Sequence, residues 1–95
     1  METPGLSVAS PKPVSLPLSQ AELKAWMITY ISQLLSLDKE GIDTSALFDS
    51  FGMDSIEAVV MAGIMEEEFG VLIEPTLLLE YPSIDLFSTA NCRKD

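Results

Sequence analysis

The stretch Phe48-Asp49-Ser50-Phe51-Gly52-Met53-Asp54-Ser55-Ile56-Glu57 joins a long loop to a helix. Asp54 has the short acceptor side chain of an N-cap and Glu57 falls at the third helical position, so the helix begins at Asp54-Ser55. It reads on to Phe69, where Gly70 supplies a stop. On a helical wheel Ala58, Met61, Ala62, Ile64, Met65 and Phe69 share one side and are expected to pack inward. The opposite side carries Ile56, Val59, Val60 and Gly63, flanked by Glu57, Glu66 and Glu67. A helix that is apolar on two sides is either sheathed in a larger protein or shows one face to a partner. A chain of 95 residues is too small to cover both. The outer strip therefore reads as a docking surface for a basic-rimmed partner, or as contact of Val59 and Val60 with the loop. If Phe69 is buried, Phe69→Ala costs roughly 3–5 kcal/mol.

Working upstream, Ser19-Gln20-Ala21-Glu22 has the form of a capping box. Leu23, Trp26, Met27, Tyr30, Ile31, Leu34 and Leu35 then recur in steps of three and four, which sets a first helix over about Ser19 to Ser36. At that spacing Trp26 and Tyr30 read as core packing rather than a ligand-stacking pair. Four prolines in residues 1–18 deny that stretch a helix or paired strand. It reads as an extended interdomain linker or a frayed terminus, with Leu16 and Leu18 able to pack on the domain. From Leu37 to Asp54 the period is lost, and Ile42, Leu47, Phe48 and Phe51 are the expected anchors of a long loop. Its acids lack the alternate spacing, central Gly and terminal Glu of a calcium loop. Downstream, Val71-Leu72-Ile73 is extended, Pro75 opens a short helix through Leu79, Pro82 ends it, and Ser83 caps a last helix. The expected fold is all-α: a small antiparallel four-helix bundle of three main helices plus a short third one. The expected organisation is a linker over 1–18, a domain over 19–90 and a tail over 91–95.

The composition closes off several function classes. Fifteen Asp and Glu against five Lys and Arg give a net charge of -10, which disfavours nucleic-acid backbones and anionic membranes and favours partners rich in Lys and Arg. There is no histidine, so no Ser-His-Asp triad, Cys-His pair or His-containing zinc site can form within the chain. A lone cysteine, Cys92, cannot make an internal disulfide, and a reducing, cytoplasmic setting is the simplest reading. No apolar run approaches the roughly 18–20 residues that span a bilayer, and no secretory signal is visible. A self-sufficient enzyme is not expected, nor is a metal site, and the domain is expected to be monomeric.

Ser55 lies in the first turn of its helix, beside backbone N–H groups that have no helical partner, at the positive end of the helix dipole. A hydroxyl there is suited to carry a phosphate ester, although serine is also common in first turns for capping alone. With its neighbours the serine forms a wider pattern. Gly52-Met53-Asp54-Ser55-Ile56 resembles the attachment motif of acyl carrier proteins, whose core is Gly-hydrophobic-Asp-Ser-hydrophobic. Met65-Glu66-Glu67-Glu68-Phe69-Gly70 resembles the end of that family's second helix. The segment Glu74 to Ile84 looks like the third-helix region of carrier domains in modular polyketide synthases. The likeness runs from about Leu18 to Ala90.

The resemblance implies that Ser55 receives 4'-phosphopantetheine from coenzyme A through a phosphopantetheinyl transferase, and that Asp54 aids recognition by that enzyme. It implies that Ile56, Glu57, Val59, Glu66 and Glu67 meet partner enzymes, namely acyl-loading, ketosynthase and other synthase domains with basic docking surfaces. Gly63 departs from the family, where a larger apolar residue is usual, and Val60 stands where an acid or polar residue is common. A carrier needs no bond-making of its own, and a domain without His offers no built-in pair to hydrolyse a thioester. Two alternatives stand beside the polyketide-type acyl carrier. One is a peptidyl carrier of a non-ribosomal peptide synthetase, which Asp54 before the serine disfavours; the other is an unmodified acidic helical adaptor.

Overall fold

The computed structural model describes residues 13–93. Four helices follow in order: α1 (Gln20–Leu35), α2 (Ser55–Phe69), α3 (Pro75–Glu80) and α4 (Ile84–Asn91). Each start is fixed by local chemistry. Ser19 Oγ accepts the Glu22 N–H at 3.1 Å while Glu22 Oε1 accepts the Ser19 N–H at 2.9 Å, which completes the capping box. Asp54 caps α2, Pro75 opens α3 at its first position, and Ser83 Oγ accepts the Leu86 N–H at 3.1 Å. Gly70 ends α2 at φ +70°, a left-handed conformation that a side chain would strain.

The helices pair as α1 with α4 and α2 with α3. Lys24 Nζ lies 3.0 Å from Asp85 Oδ1 and Gln20 Nε2 donates to Thr89 Oγ1 at 3.0 Å, so α4 runs antiparallel to α1. Trp26 stacks flat on Tyr30 one turn later and meets Phe69 edge-on, which brings the end of α2 beside the first half of α1. Leu23, Met27 and Ile31 of α1, Met61 and Met65 of α2, Leu77 and Leu78 of α3, and Ile84 and Phe87 of α4 form the shared core. The all-α antiparallel four-helix bundle expected from the sequence is the fold observed, with one isolated bridge between Leu47 and Ser83 as the β pairing among the described residues.

Several placements differ from expectation. Leu47 is exposed rather than anchored. Its backbone bridges Ser83 and the next N–H, of Phe48, donates to the Pro82 carbonyl at 2.9 Å, so alternation sends Phe48 inward and Leu47 outward. Two 3₁₀ turns, Lys39–Gly41 and Phe48–Phe51, organise the loop, and Met53 is buried beside the expected Ile42 and Phe48. On α2, Ile64 and Phe69 are only half-buried: Ile64 lies at the flank of the buried arc of Ala58, Met61, Ala62 and Met65, and Phe69, within that arc by phase, is the last residue of the helix. Leu34, on the α1 stripe, is exposed near the end of its helix. Of the stretch grouped with the linker above, Leu16 is fully buried and Leu18 half-buried against the domain, the packing the sequence allowed for, and Val14 joins them; residues 1–12 fall outside the described residues. Asn91, grouped with the tail, is the buried last residue of α4.

Removal of a core ring creates a cavity that the surroundings fill only partly. Phe87→Ala is expected to lose about 3–5 kcal/mol in urea denaturation, and Phe69→Ala clearly less, since that ring already meets water. Equal losses would contradict the placement of Phe69 at the rim. Lys24 foremost, with the Thr44 hydroxyl, holds the Asp85 carboxyl below its ordinary range. The Ser19 N–H does the same for Glu22. A depressed folded pKa adds stability that is present above the unfolded value and is lost as pH falls through the folded one. Asp85→Asn is therefore expected to flatten the acid limb of a stability-versus-pH curve, and an unchanged limb would show that the ion pair adds nothing.

Candidate functional site

The site is built where the loop turns into α2. Gly52 adopts φ +91°, the left-handed region that its lack of Cβ permits, and the turn drops Met53 into the core. The chain emerges at Asp54, whose Oδ1 accepts the Glu57 N–H at 3.0 Å and whose carbonyl accepts the Ala58 N–H at 3.0 Å. With the third helical N–H taken by the cap, those of Ser55 and Ile56 have no partner among the described residues. Ser55 is exposed at the first position of the helix, so its hydroxyl stands beside two free donors at the positive end of α2. That arrangement can receive a phosphate: the nucleophilic oxygen is reachable, and the donors that would solvate the new anion are already in place.

A groove of about 270 Å³ opens next to this hydroxyl. Phe48, Met53, Ala58 and Leu78 form buried walls, and the exposed Leu47 and Leu79 stand at its edge. The sequence reading missed both rim leucines. Leu77-Leu78-Leu79 carried the signal, because three consecutive helical residues span about 200° and cannot all face one core.

Along α2 the outward strip is open. Ile56 is 69% exposed, Val59 50% and Val60 49%, so the loop does not cover the two valines. Gly63 is exposed on the same side. Its backbone needs no positive φ, and an added Cβ would meet nothing within 4 Å. The flanking acids are not equivalent. Glu67 is exposed and Glu57 half-buried, and the Tyr30 phenol is pushed up first by partial burial and then by the Glu57 charge. Glu66 is half-buried and its Oε2 accepts the Ile73 N–H at 2.8 Å, which closes the α2–α3 connection. Of these three flanking acids, Glu66 is the one whose carboxylate holds the backbone. Ser55, Asp54 and Ile56 thus lie together at the helix tip, with Val59, Val60, Gly63 and Glu67 extending from them along one face.

Among the described residues no cluster of His, Cys, Asp and Glu is placed to hold a metal ion, and no helix is long and apolar enough to cross a membrane.

Comparison with known proteins points the same way. The family described as "phosphopantetheine attachment site" matches residues 25–90. A polyketide synthase of Bacillus subtilis is 32% identical over 63 residues, covering 66% of this chain. The mellein synthase of Phaeosphaeria nodorum is 27% identical over 73 residues, covering 72%. The chain spans only 1% of the first of these proteins and 4% of the second. Among solved structures, a free-standing peptidyl carrier protein of Acinetobacter baumannii is 33% identical with a TM-score of 0.69, over 74% of this chain and 88% of that one. An acyl carrier protein of Anabaena, described as having a variant phosphopantetheinylation-site sequence, is 27% identical with a TM-score of 0.72, over 85% and 92%.

The unequal acids give a direct test. A hydrogen bond from a backbone N–H to a carboxylate contributes about 1.5–3 kcal/mol, so Glu66→Ala should lower stability by an amount of that order, whereas Glu67→Ala should change it by under about 0.5 kcal/mol. Equal effects in chemical denaturation would remove the structural role assigned to Glu66.

Proposed function

The chain belongs to the phosphopantetheine attachment-site family, whose members carry covalently attached 4'-phosphopantetheine and tether cargo rather than catalyse, and we propose that its anchor is the Ser55 hydroxyl. The observation that carries this reading is the exposed first-turn serine with two free N–H groups beside it. Phosphate oxygens on Ser55 would meet the N–H groups of Ser55 and Ile56, which need no rearrangement to receive them. Asp54 holds the helix start through Glu57 and leaves those donors uncovered. When bound, the arm supplies a terminal thiol that holds an acyl group as a thioester. The chain's own residues position that arm and present a surface to the enzymes that act on it.

The cargo reading is an acyl or polyketide intermediate, with the chain working as an acyl carrier of a polyketide or related synthase. Its support is the similarity to polyketide synthases of Bacillus and Phaeosphaeria. A peptidyl load on the same arm is the second reading, favoured by the likeness to the Acinetobacter peptidyl carrier. The partners proposed are a phosphopantetheinyl transferase and synthase domains with basic surfaces, including acyl-loading and ketosynthase domains. Ile56, Val59 and Val60 with Gly63 offer them apolar contact, and Glu57 and Glu67 offer charge. Such a rim favours fast encounter with modest affinity, as a carrier that visits several enzymes requires. The unmodified adaptor loses its ground, because membership of this family implies the arm.

Incubation with coenzyme A, Mg²⁺ and a broad-specificity phosphopantetheinyl transferase is expected to raise the intact mass by one phosphopantetheinyl group. Peptide mapping should place it on Ser55, and Ser55→Ala should gain nothing while keeping its helical circular dichroism. An arm found on another residue, or a folded parent chain that takes up none, would sink the assignment.

A further inference from the structure

Val14–Leu18 is fastened to the C-terminal end of α4. The Val14 N–H donates to Asn91 Oδ1 at 2.8 Å, the Leu16 N–H donates to the Asn91 carbonyl at 3.0 Å, and the Arg93 N–H donates to the Leu18 carbonyl at 2.6 Å. Asn91 is fully buried, and its Nδ2 donates to the Phe87 carbonyl at 2.9 Å. A side-chain amide is costly to bury unless it is paired, and here one end grips the strap and the other grips the helix. Leu16 adds a fully buried plug between two exposed prolines' worth of extended chain, with Pro17 outside and Leu16 inside.

We propose that Val14–Leu18 and Asn91 form a releasable clasp that fixes where the preceding chain enters the domain. α1 and α4 are joined independently of the strap, through Lys24–Asp85 and Gln20–Thr89. The strap's contacts include three backbone N–H bonds, the buried Leu16 and the half-buried Val14 and Leu18, and opening it regains the conformational freedom that docking costs. A five-residue segment at the edge of the bundle, outside its four helices, opens locally while the bundle stays folded. Closed, the clasp holds the chain from Val14 onward; open, the first held residue is Ser19, the cap of α1. The five residues Val14–Leu18, at about 3.3–3.6 Å each, add up to about 17 Å of reach. Asn91 is a positioning residue in this device, acting through the strap. The consequence for reach rests on the carrier reading above, whereas the clasp itself does not.

Amide hydrogen exchange on the full chain, with or without the arm, reads the clasp directly. In the parent chain the Val14 and Leu16 amides are expected to exchange at least about tenfold more slowly than in an unstructured peptide, and faster than those of Met27 and Ile31. In Asn91→Ala the strap amides should reach the unstructured rate while Met27 and Ile31 keep their protection. Val14→Pro deletes the donor and leaves Asn91 in place, so it should release Leu16 in the same way and serves if Asn91→Ala does not fold. A spin label on Pro13→Cys, in a Cys92→Ser background, should broaden only amides near Asn91 until the clasp is broken, and then a wider set. The proposal is overturned by strap amides that are unprotected in the parent, by protection unchanged in both variants, or by core amides that lose protection together with the strap. Failure of Ser55 to accept the arm would leave all these rates untouched, so the two readings fail separately.

Discussion

Asp54 holds the Glu57 N–H at 3.0 Å, and much of the molecule's geometry follows from that bond. A helix start is ambiguous by a residue or two unless a side chain pins it. Here the pin acts together with Gly52 in a left-handed turn and Met53 sunk in the core, so the chain leaves the interior and enters the helix within three residues. The cap satisfies the third N–H of α2 and leaves the first two open beside Ser55. A cap that reached those donors as well would bury the electrostatic resource that a phosphate needs. The same start point sets the phase of the helix. With Ser55 first, Ala58, Met61, Ala62 and Met65 turn to the core, and Ile56, Val59 and Val60 turn to solvent.

That phase carries a cost. Three large aliphatic side chains stay about half exposed or more on one helix face, although the domain has few enough residues that burying them would add usefully to its core. Gly63 on the same face gives up about 1 kcal/mol of helix propensity relative to Ala, with no close approach among the described residues to explain it. Stability within the bundle accounts for neither feature. The docking role proposed for this face would account for both. The acids divide along the same line: Glu66 is spent on the Ile73 N–H, while Glu67, one residue on, stays free in solvent.

What the sequence made legible was whatever depends on neighbours within one turn. The Ser19–Glu22 box, the Asp54 and Ser83 caps, the Gly70 stop and the inner stripe of α2 are local, and each stands where the pattern places it. The misplaced residues depend on distant partners. Leu47 faces out because its backbone pairs with Ser83, and that pairing has no signature in residues 37–54. Glu66 looks like any surface acid until the α2–α3 connection folds back on it. Asn91 reads as a polar tail residue because its partners at 14 and 16 lie at the other end of the chain. At the candidate site, Ser55 and the outward strip were readable from helical phase, whereas the groove beside them was not, since its walls come from the loop, α2 and α3 together.

The two ends of the bundle hold different tasks. Val14–Leu18 meets residues 91–93 at the end of α4, which Gln20–Thr89 places beside the start of α1. Trp26 against Phe69 places the end of α2 on that side as well. The start of α2 therefore lies at the other pole, a helix of 15 residues away, about 22 Å by its rise. A body held by its chain at one pole moves its far pole through the widest arc for a given rotation. The anchor proposed at Ser55 sits on that far pole, so the fold adds its own length to the sweep of the arm. An entry point that shifted along the chain would change the arc without altering the site.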